Sequence, residues 1–441
     1  MPYIQGKNRD QLVLVSSTLD DCIKKDNPIR FIDAFVDKID LKKLGFKHAE
    51  EYYGVGRYPY NPKDLLKLSI YGYGNNIRSS RKLETETHRN IEVMFLINGL
   101  KPDHKTISDF RKDNKHQMKG VFREFTVICK KLELFGNEQI AIDGSKFKAV
   151  NAKKKAFTKN YVLKKIKTLD DYRKKYKDIV KEIETSGESQ ITFTDPESRL
   201  MKTSKGTDVC YNVQISIDKK HKLMVDYEAT NDINDLNQLN NMANKSKEIL
   251  EVDELEVLAD KGYCNPKEIK KCVDNGIIPY VPKPKANTTK TKGEFCKSKF
   301  KYDKEKDVYI CPNNCELKFF KKHKKESENI YKLYKSNECK NCALKKDCTK
   351  SKTGRVIERW EHEEIMEEME KRVKANKDKI KTRQHIVEHP FGTIKRAFNQ
   401  GYMILKGLIK VNAEFALTAF NYNLKRVINI VGTEKLILAL G

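Results

Sequence analysis

The sequence predicts an α/β protein in which a helical N-terminal region leads into a mixed core of strands and helices, interrupted by a basic, cysteine-containing insertion. Three observations predict it. Apolar residues recur at helical spacing before residue 137, short apolar runs of strand type begin at Gln139, and six of the eleven cysteines fall between Lys283 and Arg355. The 441 residues suffice for about three domains and for a core that needs no disulfide support.

Taken in order, residues 1–137 read as mostly helical: PKDLLKLSIYG (62–72) and VFREFTVICKKLEL (121–134) carry helical periodicity, with turns marked by Gly54, Gly56, Pro59 and Pro102. From Gln139 the pattern is mixed. QIAID (139–143), YNVQISID (211–218), KLMVDYEAT (222–230), ELEVLAD (254–260) and IIPYVP (277–282) are strand candidates, with a short helix expected over Lys267–Val273. Lys153–Gly187, rich in Lys and Glu, is read as a helical arm that is either solvated or faces a polyanion. Lys283–Arg355 holds 22 basic against 9 acidic residues. A charged helix is expected over Glu358–Lys381 and an apolar one over Ala413–Val431. The expected division is 1–137, 138–282 with the arm at 153–187, 283–355 and 356–441.

The net charge of +26 implies a polyanionic partner, nucleic acid before a membrane surface. No window approaches a membrane span, and the opening MPYIQGKNRD has no apolar signal core, so a cytoplasmic, nucleoid-associated location is expected. Cysteines there stay reduced, and a cluster of them reads as metal ligands. Cys311 and Cys315 are spaced C-x3-C, and Cys339, Cys342 and Cys348 C-x2-C-x5-C, which suits a closed tetrahedral Zn²⁺ site of structural type. Five thiols compete for four places, and Cys296 is expected to stay unligated. The segment offers few apolar residues, so the metal is expected to supply its folding energy. No G-x-x-x-x-G-K-[ST] loop and no G-x-G-x-x-G after a strand occurs, which argues against ATP and nicotinamide chemistry.

Two apolar runs end in an acid, Ile140–Asp143 and Leu255–Asp260. Carboxylates at strand ends project from a rigid scaffold, as a hard Mg²⁺ ion requires, though spacing alone does not single these two out.

The blocks AIDGSKFKAVNAKK (141–154), LADKGYCNPKEIKKC (258–272) and IVEHPFGTIKR (386–396) resemble the three active-site blocks of bacterial insertion-sequence DDE-type transposases. GRYPYNPKDLLKLSIYGYGNNIRSSRKLE (56–84) and LKPDHKTISDFRK (100–112) resemble the helical InsH-like domain that precedes the core in one branch. DPESRLMKTSKGTDVCYNVQISID (195–218) and TNDINDLNQL (230–239) match the stretch between the first two acids. The resemblance spans about residues 50–430. It implies an RNase H-like catalytic core and a triad of Asp143, Asp260 and Glu388, set 117 and 128 residues apart, holding two Mg²⁺ or Mn²⁺ ions. It further implies hydrolysis of DNA at element ends and joining of the 3′-OH to target DNA, by a dimer or larger assembly on the terminal inverted repeats. Cys311, followed by Pro312, and Cys339, Cys342 and Cys348 match the family's cysteine block, whereas Cys315 does not, so those four are the expected zinc ligands.

Lys395, seven residues after Glu388, would share its helix face and meet a DNA phosphate, with Pro390 kinking the helix or restarting it. Lys146 and Lys261, beside the two Asp residues, and Arg383 are further expected DNA contacts. Arg57, Arg78, Arg81 and neighbouring lysines are expected to meet phosphates at the element ends. Two rivals deserve statement. HIVEH (385–389) fits the H-x-x-E-H motif of zinc peptidases, although Pro390 opposes an unbroken metal-binding helix. A decayed, zinc-stabilised protein that binds ends without cutting is the other, and the presence of all three acids argues against it.

Overall fold

The computed structural model describes residues 18–50, 58–168, 173–284, 295–324 and 329–441. Six helices come first: α1 (Pro28–Lys38), α2 (Pro62–Gly74), α3 (Ser80–Arg89), α4 (Ile91–Leu96), α5 (His104–Asp113) and α6 (Met118–Lys131). Their starts are written locally. Asn27 and Asn61 each accept a backbone N–H two residues on, with Pro28 and Pro62 at the first helical position, and Asp103 accepts from Thr106. Strand β1 (Gln139–Lys148) follows, then β2 (Ala156–Thr158), α7 (Lys159–Thr168), α8 (Arg173–Ser186), β3 (Gln190–Thr192), β4 (Arg199–Thr203), β5 (Gly206–Asp218), β6 (Met224–Thr230) and α9 (Leu239–Leu250). Next are β7 (Leu255–Leu258), α10 (Pro266–Asp274), β8 (Ile277–Tyr280), β9 (Lys301–Asp303), β10 (Val308–Ile310), β11 (Glu316–Lys324) and β12 (Ile330–Lys335). The chain closes with α11 (Lys345–Cys348), β13 (Val356–Trp360), α12 (Glu363–Ala375), α13 (Lys377–Gly392), α14 (Leu408–Val431) and α15 (Thr433–Leu438). This is a mixed α/β fold, and among the described residues no helix is long and apolar enough to cross a membrane.

Two compact units result. The first comprises residues 1–235, 241–255 and 382–441. Its strands are antiparallel: β5 pairs with β1 along one edge, and with β4 and then β6 along the other. Helix α14 organises this unit. Phe420 meets Phe35 at 5.2 Å and Phe125 at 4.8 Å, so one C-terminal ring joins α1 and α6 in a single aromatic core. Asn421 donates to the Ile70 carbonyl, which fixes α14 against α2. Asn412 and Asn423 each make a pair of hydrogen bonds, to the backbone N–H and C=O of Ala229 and of Met224. They satisfy the outer edge of β6 as a further strand would.

The second unit comprises residues 236–240 and 256–381. The cysteine-containing insertion is an antiparallel sheet in the order β13-β12-β11-β10-β9. It has a core of its own in Phe300, Tyr309, Leu317, Tyr334 and Ile357. The expectation that this segment lacks a core is therefore corrected. Phe300, Tyr309 and Tyr334 lie on separate short segments of a lysine-rich stretch and converge only when the strands pair. The expected charged helix over Glu358–Lys381 is corrected too: Val356–Trp360 is strand, and the helices begin at Glu363 and Lys377.

Candidate active site

Asp143 lies in the middle of β1, opposite Ile215 of β5, with its side chain 26% exposed. Three cations stand on or beside this strand within the first unit. Arg383 of α13 brings Nη1 to 3.6 Å from Asp143 Oδ2, and this buried nitrogen has no hydrogen-bond acceptor. Lys395 donates from Nζ to Ser145 Oγ at 2.5 Å and to the Lys146 carbonyl at 2.9 Å, while its ammonium rests 4.7 Å from the Phe147 ring centroid. Burial pushes Lys395 below the usual ammonium range, and Cys210 and Asp143 oppose that shift. Lys146 reaches Asp235 Oδ1 at 3.5 Å; burial lowers it as well, against the opposing pull of Asp235 first, then of Cys210 and Asp143.

The strand is held in place beside these groups. Asp235 Oδ1 accepts from Asn212 Nδ2 and Gln214 Nε2, each at 2.7 Å, and both amides are fully buried. Gly144 leaves the space for this cluster, because a Cβ there would stand 2.6 Å from Asp235 Oδ1 and press on Gln214. Neither Asp235 nor the two amides was singled out from sequence. Asp235 lies in the block TNDINDLNQL, and Asn212 and Gln214 in the block 195–218.

Glu388 is exposed on α13 and accepts from Gln384 Nε2 at 2.6 Å. Pro390 lies inside α13, which neither restarts there nor ends. The helix runs on to Gly392 and passes into a π-helical turn over Thr393–Ala397, which carries Lys395. His389 approaches the Tyr422 hydroxyl and lies within 3.1 Å of the Arg426 guanidinium, a poor setting for a metal ligand, whereas His385 is exposed. In the second unit, Asp260 follows β7 and accepts from the Gly262 N–H at 2.7 Å, capping the turn Lys261–Tyr263, with Lys261 exposed.

Arg78 is corrected by the structure. Its side chain is 5% exposed, donates to the Tyr402 carbonyl at 2.8 Å and pairs with the buried Glu414 at 3.0 Å, so it faces the core and not a phosphate. Lys67, a neighbouring lysine, is likewise buried between Asp33 and Asp37. Arg81 is exposed on α3, and Arg57 lies outside the described residues.

Cys311, Cys315, Cys339, Cys342 and Cys348 line one pocket with Phe300, Leu317 and Arg355. Burial raises the Cys348 thiol; Arg355 opposes this, and Cys339, Cys311 and Cys342 add to it. Cys315 is pushed up to about 12, first by the Glu338 carboxylate. Cys296 lies against Ser298. Among the described residues no three His, Cys, Asp or Glu side chains converge closely enough to hold a metal ion.

Two family models match the chain. One, described as "Transposase domain (DUF772)", covers residues 17–113, and the other, "Transposase DDE domain", covers residues 310–428. The second match includes Arg383, Glu388, Lys395 and the five pocket cysteines. No curated protein matches. Among solved structures the chain is similar to the cryo-EM structure of the piggyBac transposase synaptic complex with hairpin DNA, with 10% identity over 95% of this chain and 80% of that one and a TM-score of 0.34.

Proposed function

We infer from this premise, that the chain belongs to the insertion-sequence DDE transposases, that it binds the ends of its element, hydrolyses a phosphodiester there and joins the freed 3′-OH to target DNA. The observation that carries the site assignment is Arg383 standing 3.6 Å from Asp143, with Lys395 held on Ser145 and the Lys146 carbonyl of the same strand. A carboxylate beside a half-buried guanidinium, with a half-buried ammonium held on the same strand, suits a DNA phosphate whose own charge is partly offset by metal.

Asp143, Asp260 and Glu388 would hold Mg²⁺ or Mn²⁺ within an RNase H-like core, since their donors are all hard carboxylate oxygens. Such ions, when bound, activate the attacking oxygen and offset charge on the leaving oxygen. Lys395 and Lys146 would hold the phosphate beside β1, and Arg383 would exchange Asp143 for a phosphate oxygen. Water attacks phosphorus in the first step and the P–O3′ bond breaks. In the second step that 3′-OH attacks a target phosphate, the target's own P–O3′ bond breaks, and the displaced 3′-oxygen takes up the proton. Cutting two ends requires at least two copies of the chain. Arg81, Arg57 and Lys261 would contribute phosphate contacts.

We also propose a structural Zn²⁺ on Cys311, Cys339, Cys342 and Cys348. Four thiols on one pocket supply the right donors, and Cys315, which does not match the family's cysteine block, is the one left out. Zinc measured by mass spectrometry should be one per chain in wild type and lost in Cys342→Ser; equal zinc in both refutes this assignment.

The cleavage test uses plasmid DNA carrying the gene's own flanking sequence, with Mg²⁺ or Mn²⁺. Wild type and His385→Ala should cut at the flanks, and Asp260→Asn should not. Cuts that persist in Asp260→Asn would mean that the triad is misplaced. Tight binding with no cutting by any variant would leave an end-binding protein.

A further inference from the structure

The arm between β1 and β4 folds around its own centre. Strands β2 and β3 pair from Ala156↔Thr192 to Thr158↔Gln190, and Val162, Ile179 and Ile183 form a core to which Phe157, Tyr176 and Ile191 are added. Nothing in the cleavage reaction described above uses it.

One end of the arm is unusual. Phe157 packs edge-on against Phe193 at 5.7 Å and lies 6.3 Å from Tyr161, yet Phe193 and Tyr161 are each 47% exposed. Both exposed rings lie outside the arm's core, so folding does not account for them. They also sit among cations. The Phe193 N–H donates to the Lys155 carbonyl at 3.1 Å, which joins the ring to the exposed run Lys153–Lys155, and the Lys165 ammonium stands 5.9 Å from the Tyr161 ring. From Lys153 to Thr168 the sequence has seven lysines and no acid, and the first acids of the arm are Asp170 and Asp171.

Charge complementarity selects nucleic acid as the occupant, and the rings narrow the choice. A duplex keeps its bases stacked inside and offers only phosphates to such a surface. Unpaired nucleotides offer phosphates for lysines and base faces for aromatic rings. We propose that Lys153–Lys155, Tyr161 and Phe193 form a binding surface for unpaired DNA, separate from the triad. The inference rests on the reading of the chain as a DNA transposase only for the choice of DNA.

The test is equilibrium binding of the full chain, without divalent metal, to a fluorescent oligothymidine strand and to a blunt element-end duplex. Tyr161→Ala/Phe193→Ala should weaken single-strand binding at least about tenfold while duplex binding stays within about twofold. Tyr161→Trp/Phe193→Trp should restore it. Lys153→Ala/Lys154→Ala/Lys155→Ala should lower the slope of log affinity on log salt for the single strand by about two. Photo-crosslinking of an iodouracil oligonucleotide to the wild-type chain needs no substitution, and should label peptides containing Tyr161 or Phe193. Equal losses for duplex and single strand, no loss for either, or crosslinks confined elsewhere would each overturn the proposal. So would a change in oligomeric state in the aromatic variant, which would make the patch a contact between copies. A wild type that binds the duplex but not the single strand refutes this inference alone, whereas one that binds neither also refutes the proposed function.

Discussion

Replacing Arg78 by Ala separates a core role from a DNA-binding role. Its guanidinium donates to Glu414 and to the Tyr402 carbonyl, and stacks 4.4 Å from the Tyr402 ring centroid. Glu414 is 1% exposed in its side chain and also accepts from the backbone N–H groups of Ile404 and Leu405. Deleting one partner of a buried pair costs about 3–5 kcal/mol, because the other charge is stranded. The two backbone donors place Arg78→Ala near the lower end, about 3 kcal/mol. At a urea m-value of about 3 kcal/mol per M, the unfolding midpoint should fall by about 1 M.

The defect should also depend on pH. Burial already raises the Glu414 carboxyl above its ordinary 4.5, and Arg78 is the largest influence holding it down. Without Arg78 the folded value rises further. A carboxyl whose folded value exceeds its unfolded one destabilises progressively as pH climbs from the unfolded value through the folded one. The gap between variant and wild type should therefore widen with pH across that window and narrow below 4.5. Urea unfolding and element-end binding would be measured on the same preparations. An unchanged midpoint with weakened end binding would refute the core role and return Arg78 to the DNA surface.

Three further outcomes are expected. Gly144→Ala should cost about 1–3 kcal/mol by overpacking against Asp235 and Gln214, and should lower cleavage by tenfold or more with little change in end binding; full cleavage would show that the cluster yields freely. Asp235→Asn and Lys146→Met should be coupled, the loss of cleavage in the double variant falling well short of the product of the two single losses, and a simple product would refute action of Asp235 through Lys146. Phe420→Ala should lower stability by about 3–5 kcal/mol in urea unfolding, since it removes the ring shared by Phe35 and Phe125; a loss below 1 kcal/mol would refute that shared core.

Much of the local structure was legible because its signals are local. The helical spacing over 62–72 and 121–134 falls on α2 and α6, and the strand candidates around Ile140, Ile215 and Val257 coincide with β1, β5 and β7. What escaped was set by distant partners. Arg78 reads as a surface cation until Glu414, 336 residues away, arrives beside it. The insertion reads as coreless because Phe300, Tyr309 and Tyr334 are separated by lysine-rich stretches and meet only across the sheet. Asp235 looks like a loop acid, and only the pairing of β1 with β5 sets Gly144, Asn212 and Gln214 around it. Arg383, by contrast, is singled out from the sequence and stands 3.6 Å from Asp143.

The place of α14 in the chain has a consequence for biosynthesis. Phe35 and Phe125 leave the ribosome early, but the ring that completes their core is Phe420. At about 5–20 residues per second, the roughly 300 residues between Phe125 and Phe420 take on the order of tens of seconds to make. Throughout that interval the first helices present an aromatic face with no cover, and the edge of β6 waits for Asn412 and Asn423. Folding of the first unit is thus a late event, gated by the last helices to emerge. A product cut short before α14 would be a substrate for chaperones and proteases, not a smaller working protein.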